Sequence, residues 1–292
     1  MLTSSAIAVL SGVGAFAFFS LGIGGGRHLA DALDAAVLAA TVSVLSAAAL
    51  YPALHLREHW LIRAASAISR DNIDLLSSLG RLTELRDGEM AGHNLRVTTY
   101  TLLFAETLEL PPEEIVRTTK GALLHDVGKL AISDRILGKP GPLTLEERAE
   151  IAKHVRYGLE IVSQSQILQE AAPVVGAHHE HYDGKGYPLG LRGEAIPREA
   201  RLFALVDVFD ALTSSRVYKP AFSVEEAGAK MAGGRGSHFD PILFDRFTDV
   251  APDIARRLPH DEAALTGLLL DRLSPYLDYS VSQDTIASVA AL

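Results

Sequence analysis

The sequence predicts an all-α protein: a transmembrane helical hairpin followed by a larger helical region that carries the chemistry. Three observations predict it. Two uncharged apolar segments open the chain, helix-start signals recur along the rest, and no convincing strand alternation follows them.

Residues 2–23 and 35–54 contain no charged residue, and each is about as long as a helix that crosses a bilayer. The connection between them, GGGRHLADALD, is too short for a sensing domain. Arg57, Arg63 and Arg70, with His55 and His59, follow the second segment, whereas the connection sets Arg27 against Asp31 and Asp34. That bias puts the connection outside and the C-terminal region in the cytoplasm. A signal peptide would carry positive charge before its apolar core, and MLTSS has none. A soluble hairpin rich in Ala and Gly is the competing reading. Residues 1–56 are therefore assigned to the hairpin.

Residues 57–86 read as one helix, with Trp60, Ala64, Ile68, Leu75, Leu79 and Leu82 at a spacing of three to four or its multiples. It is either a coupling helix that dimerises, making a homodimer one expected assembly, or an amphipathic lead-in. The stretch 57–80 is taken as the connection to the next domain. Pro111 and Pro112 start a helix running through EEIVRTTKGALLHDVG. Thr144 with Glu147, and Ser223 with Glu226, have capping-box spacing. GKPGP and DGKGYP mark loops. Asp240 and Pro241 read as a turn opening a late helix. Residues 248–292 read as an extra packing helix or a partner-binding tail.

Zero cysteines exclude disulfides, thiolate metal sites and cysteine nucleophiles, so any metal must be held by His, Asp and Glu. The net charge of −9 argues against broad binding to a nucleic-acid backbone. A small phosphorylated ligand remains open if cations are concentrated locally.

The ionisable residues of interest interrupt apolar stretches. RDGEMAGH carries Glu89 and His93, four apart and so on one helix face. LLHDVGKL carries His125, Asp126 and Lys129; IAKHVRYG carries His154; AHHE carries His178 and His179. LVDVFDAL carries Asp207 and Asp210, and SSRVYK carries Arg216 and Lys219. Taken singly, each histidine reads as a hydrogen-bonded core residue. Burying them all without partners would be very costly, and metal coordination removes much of that cost. His125 and Asp126 point about 100° apart on a helix, yet can converge on two ions that the carboxylate bridges.

The segments HDVGKLAISDRILGKPGPLTLEE, HHEHYDGKGYP, DVFDALTSSRVYK and HFDP, in that order, resemble the HD-GYP domains, a branch of the HD metal-dependent phosphohydrolases. The resemblance covers roughly residues 81–247. It implies an HD-type helical domain with the HD-GYP extension, holding two or three divalent ions, iron or manganese. It also implies cleavage of the bacterial second messenger cyclic di-GMP to pGpG and/or GMP, here at the inner membrane. By residue, His93, His125, Asp126, His154, His178, His179 and Asp207 match metal ligands, with Asp126 as the bridge, and Glu89 matches the ligand of a third ion. Lys129, Arg216 and Lys219 match groups that hold substrate phosphates, and Tyr187 matches the signature aromatic near the substrate. Two positions depart from the family pattern: EMAGH replaces a common Thr-Gly after the Glu, and Val217 replaces a common Pro. Both bear on loop shape rather than chemistry.

The donor set suits iron, manganese or zinc without choosing among them. A hydroxide made available by the ions would attack phosphorus, with Asp126, Lys129 and Asp210 at the reacting centre, Asp210 as an acid one layer behind the ligands, the favoured role, or simply as a ligand orienter. Gly184 and Gly186 would let backbone approach a ligand closely, and Tyr187 either touches a guanine or ribose face or anchors the loop. His28, His55, His59, His181, His238 and His260 match no ligand position and read as surface or interface residues. Two other functions stay open: hydrolysis of another cyclic dinucleotide or nucleotide phosphoester, and a non-catalytic receptor or scaffold for the messenger.

Overall fold

The structure is a computed structural model that describes residues 26–87, 92–215 and 220–290. The first predicted membrane segment (2–23), Glu89, Arg216 and Lys219 lie outside the described residues. Among those described, the chain is helical, and only isolated bridges, Asp183 to Arg192 and Arg235 to Phe239, add β-type pairing. Two compact units are distinguished, Met1–Ala65 with Val281–Leu292, and Ser66–Ser280.

In the first unit the described chain is helix from Gly26, the start of α1 (Gly26–Asp87). The connection read between two spans is thus helical from Gly26 onward. Within α1, Asp34–Leu61 is long and apolar enough to cross a membrane, and the side chains of Val37, Leu38, Val42, Leu45 and Leu50 are exposed.

The second unit holds the core. Its helices are α2 (His93–Thr107), α3 (Pro112–Leu124), α4 (Asp134–Leu137), α5 (Leu145–Ala152) and α6 (His154–Val162). They continue with α7 (Gln166–Gln169), α8 (Ala172–Ala177), α9 (Arg198–Thr213), α10 (Val224–Ala232), α11 (Pro241–Arg257) and α12 (Glu262–Ala290). Phe104 of α2, Phe209 of α9 and Phe247 of α11 meet edge to face, Phe247 lying 5.0 Å from Phe104 and 5.2 Å from Phe209. Each such ring contributes about 1.5–3 kcal/mol by burial, and the edge-to-face geometry adds about 0.5–1.5 kcal/mol per pair. Leu269, Leu273 and Leu277 of α12, one turn apart, are buried in the same core, and Leu265 one turn earlier is buried as well.

Several local expectations hold. Pro112 occupies the first turn of α3. Thr144 and Glu147 form a reciprocal capping box on α5, as do Ser223 and Glu226 on α10. Asp240 caps α11 by accepting from the amides of Ile242 and Leu243 at 2.8 and 3.1 Å.

Two expectations are corrected and a third is refined. The helix after Pro112 ends at Leu124 instead of running through Gly128; His125 and Asp126 lead into a 3-10 turn, Val127–Ala131. The cause is a close crossing: a Cβ on Gly128 would lie 1.8 Å from the His154 carbonyl, so this turn presses directly on α6. Second, the helix bearing His93 begins at His93, because Gly92 adopts a left-handed φ of 80°. That helix therefore does not extend back through Gly92; Glu89 itself lies outside the described residues. Third, the apolar row of α1 divides, since Leu79 packs against the core while other members of the row are exposed. Ile73, Leu76 and Thr83 are buried, whereas Trp60, Ile68, Leu75 and Leu82 are 52–68% exposed.

Candidate metal centre

Seven of the eight predicted ligands lie among the described residues, and they converge. His154, His178 and His179 form one group whose donor atoms lie within 4.8 Å of one another; His93, His125 and Asp207 form a second. Asp126 stands between them. Its Oδ2 is 3.1 Å from His125 Nε2, and its Oδ1 is 3.5 Å from His154 Nε2. One carboxylate thus presents one oxygen to each group.

Helix ends deliver these side chains. His125 follows the last residue of α3, His154 starts α6, and His178 follows the last residue of α8. Each turns its ring nitrogen Nδ1 back to a carbonyl of its own helical turn: His125 to Ala122 at 2.8 Å, His154 to Ile151 at 2.8 Å, His178 to Val174 at 3.1 Å. With Nδ1 turned to backbone, Nε2 is the nitrogen that faces the centre. The core supports the arrangement, since Phe203 packs 4.8 Å from His125, ring to ring.

His93 is held differently. Its Nδ1 lies 2.7 Å from Asp210 Oδ2, and its Nε2 lies 3.6 Å from Asp207 Oδ1. Arg96, one turn along α2, grips Asp210 through two nitrogens at 2.8 and 3.0 Å. Asp210 therefore lies behind His93. Lys129, expected at the substrate phosphates, places Nζ 2.8 Å from Asp126 and 2.5 Å from Asp87. Tyr187 stacks on His179 at 4.7 Å, and its backbone N–H donates to the His179 carbonyl. A Cβ on Gly186 would lie 2.2 Å from the His181 nitrogen, so the glycine lets this loop fold onto the histidine segment.

The electrostatics split the centre in two. Burial lowers His154 and His178, and it lowers His179 to about 3, with the neighbouring imidazoles reinforcing the effect at the last two. This trio is neutral and ready to ligate. At His125 burial also opposes charge, but Asp126 outweighs it and raises the imidazole to about 9. At His93 burial is outweighed by the hydrogen bond to Asp210 and the charge of Asp207, so the group is raised. Asp126 resists burial because His125 and Lys129 hold it well below the usual carboxylate range. Protons on His93 and His125 thus stand where cations would balance the carboxylates. Five imidazoles and two carboxylates fit borderline divalent ions such as iron, manganese or zinc.

Several supporting residues were not singled out from the sequence. Asp87 stands in RDGEMAGH with no spacing signal that sets it apart. Arg96 was missed, although a cation one turn after a candidate ligand was a usable signal. Glu180 is buried and accepts from the amides of Leu189 and Leu191 at 2.7 and 3.0 Å, fixing the loop that carries Tyr187. Glu84 of α1 accepts the His93 amide at 2.6 Å and so caps α2 from another element.

A family model described as HD domain matches residues 77–243, more than half of the chain. The chain is 43% identical over 190 residues to the cyclic di-GMP phosphodiesterase response regulator RpfG of Xanthomonas campestris pv. campestris, covering 64% of itself and 50% of that protein. It is 38% identical over 229 residues to a "Probable cyclic di-GMP phosphodiesterase" of Vibrio cholerae, covering 72% of itself and 52% of the relative. It is also 39% identical over 174 residues to the 3'3'-cGAMP-specific phosphodiesterase 2 of Vibrio cholerae, covering 59% of itself and 33% of the relative. The chain thus spans about half the length of these relatives, or less.

Proposed function

The chain belongs to the HD domain family, in its HD-GYP branch, and on that premise we propose that it is a metal-dependent cyclic di-GMP phosphodiesterase. One observation carries the reading: Asp126 turns its two oxygens to two separate groups of ligand-type side chains. His154, His178 and His179 would hold one divalent ion and His93, His125 and Asp207 another, with Asp126 shared; iron or manganese is the expected metal. Glu89 is the candidate for a third ion. When bound, the ions supply Lewis acidity toward a phosphate oxygen and lower the pKa of a nearby water.

The protein's own residues do the rest. Lys129, a cation beside Asp126, would meet a phosphate oxygen as charge develops on it. Asp87 anchors that ammonium from α1. Asp210 and Arg96 fix the ring of His93. Tyr187, stacked on His179, offers a ring to a guanine or ribose face, and Glu180 holds its loop. Arg216 and Lys219 are the further phosphate-binding candidates on sequence grounds. The products are pGpG and/or GMP.

The test uses the full chain in detergent, loaded with Mn²⁺ or Fe²⁺ and incubated with cyclic di-GMP, with products separated by chromatography. Turnover in the wild type and its loss in Asp126→Asn is the expected result; equal rates in both overturn the reading. The relative named a 3'3'-cGAMP-specific phosphodiesterase favours a second substrate, another cyclic dinucleotide. Competition between the two dinucleotides at equal concentration ranks them.

The remaining assignments belong to the same proposal. The hairpin of residues 1–56 anchors the protein in the bacterial inner membrane, with the catalytic region, 81–247, in the cytoplasm. The exposed apolar stretch within Asp34–Leu61, uncharged over residues 35–54, and the arginines that follow Leu54 support that. Residues 57–80 connect, and 248–292 extend the helical domain. Ile68, Leu75 and Leu82 recur at the coiled-coil spacing of seven on an exposed face, which supports a parallel homodimer through α1.

A further inference from the structure

His55 and His59 lie outside the metal centre, and nothing in its chemistry uses them. They stand one turn apart on the exposed surface of α1, with Nε2 of one 3.0 Å from Nε2 of the other and ring centroids 4.2 Å apart, edge on. Tyr51, one turn earlier, stacks on His55 at 5.9 Å with its ring nearly parallel. Both imidazoles therefore turn their distal nitrogens to one point above the helix.

We propose that His55 and His59 form a bidentate surface site for a divalent transition-metal ion of the copper, nickel and zinc class. The geometry has a direct reading. At a metal–imidazole distance of about 2.0–2.1 Å, two nitrogens 3.0 Å apart subtend roughly 95° at the ion. That is the angle between neighbouring ligands in square-planar or octahedral coordination, and it is reachable in a distorted tetrahedron. The helix fixes the spacing in advance, so an ion can take the place of the hydrogen bond between the rings, each ring keeping its proton on Nδ1, without reorganising the chain. The remaining coordination positions are open to water or to an added ligand. Hard cations such as Mg²⁺ or Ca²⁺ prefer oxygen donors and do not compete. Among first-row divalent ions the order is copper above nickel and zinc, with manganese weakest.

The test uses the full chain in detergent with its buried centre first saturated with Mn²⁺, titrated with Ni²⁺ in a calorimeter. The wild type binds one equivalent per chain more than the double variant His55→Ala/His59→Ala. Removing either histidine alone weakens that equivalent at least ~100-fold, because binding then loses its intramolecular second arm. Asp126→Asn, which disrupts the buried centre, keeps it. A further variant, His59→Ala/Trp60→His, retains two imidazoles but turns them about 140° apart on the helix, and it binds no better than a single-histidine protein. Alanine favours helix over histidine, so circular dichroism of the variants stays at the wild-type value. Copper paramagnetic resonance gives a second readout, with nitrogen couplings from two imidazoles in the wild type and none from this site in the double variant. Equal equivalents in the wild type and the double variant, or undiminished binding in the off-register variant, overturn the proposal and leave an ordinary hydrogen-bonded histidine pair.

Discussion

Asp210 is gripped from two sides, by His93 at 2.7 Å and by two nitrogens of Arg96. Burial alone would favour its neutral form, but those hydrogen bonds hold it below the usual carboxylate range. Its ionised form keeps the His93 ring turned toward Asp207. Asp210→Asn is expected to weaken metal retention about 10–100-fold, as when the outer partner of a ligating imidazole is lost. Metal content after dialysis against graded chelator measures this, and equal retention in both proteins would remove Asp210 from the account. Gly128 acts through space rather than charge. Gly128→Ala would force a methyl group into the His154 carbonyl, separating Asp126 from His154. The expected cost is about 1–3 kcal/mol in chemical unfolding, typical of overpacking, together with lost turnover. Wild-type stability would show that the crossing is looser than 1.8 Å implies.

At the scale of elements, α1 presents two faces. One, with Ile73, Leu76 and Thr83, packs on the core; the other exposes Ile68, Leu75 and Leu82. Changing the exposed three to Gln is expected to shift the detergent-solubilised protein from dimer to monomer in analytical ultracentrifugation while leaving the core intact. An unchanged mass would assign that face to something other than a second copy. These faces also show where sequence reading stops. Both are apolar at helical spacing, and nothing local tells which one meets the core. The capping boxes at Thr144 and Ser223 were legible because donor and acceptor lie three residues apart in the chain. The helix break at His125 was not, because its cause is Gly128 pressing on the distant His154. For the same reason the ligand residues could be named from their motifs, while Asp87, Glu84 and Glu180 could not. Each of those three acts on a group brought near only by folding.

For the whole molecule, the uneven protonation of the centre sets a pH dependence. His125 is raised from 6.5 to about 9 in the metal-free protein. Its contribution to stability is therefore fully present below about 6.5 and is lost as pH rises through about 9. His93 is also raised and acts in the same direction. Asp126 is depressed, so its contribution is present above the ordinary carboxylate range and is lost on acidification. Divalent ions displace the histidine protons. Thermal unfolding of chelator-treated protein should thus show a falling midpoint between pH 6.5 and 9, and the Mn²⁺-loaded protein should lose that decline. Parallel curves with and without metal would mean that the ions bind elsewhere.

The central claim is that two ions share Asp126, and crystals of the Mn²⁺-loaded full chain test it most directly through the anomalous signal of the metal. The account predicts two peaks flanking the Asp126 carboxylate, one against His154, His178 and His179 and the other against His93, His125 and Asp207. A map with no peak within coordination distance of Asp126 would contradict it.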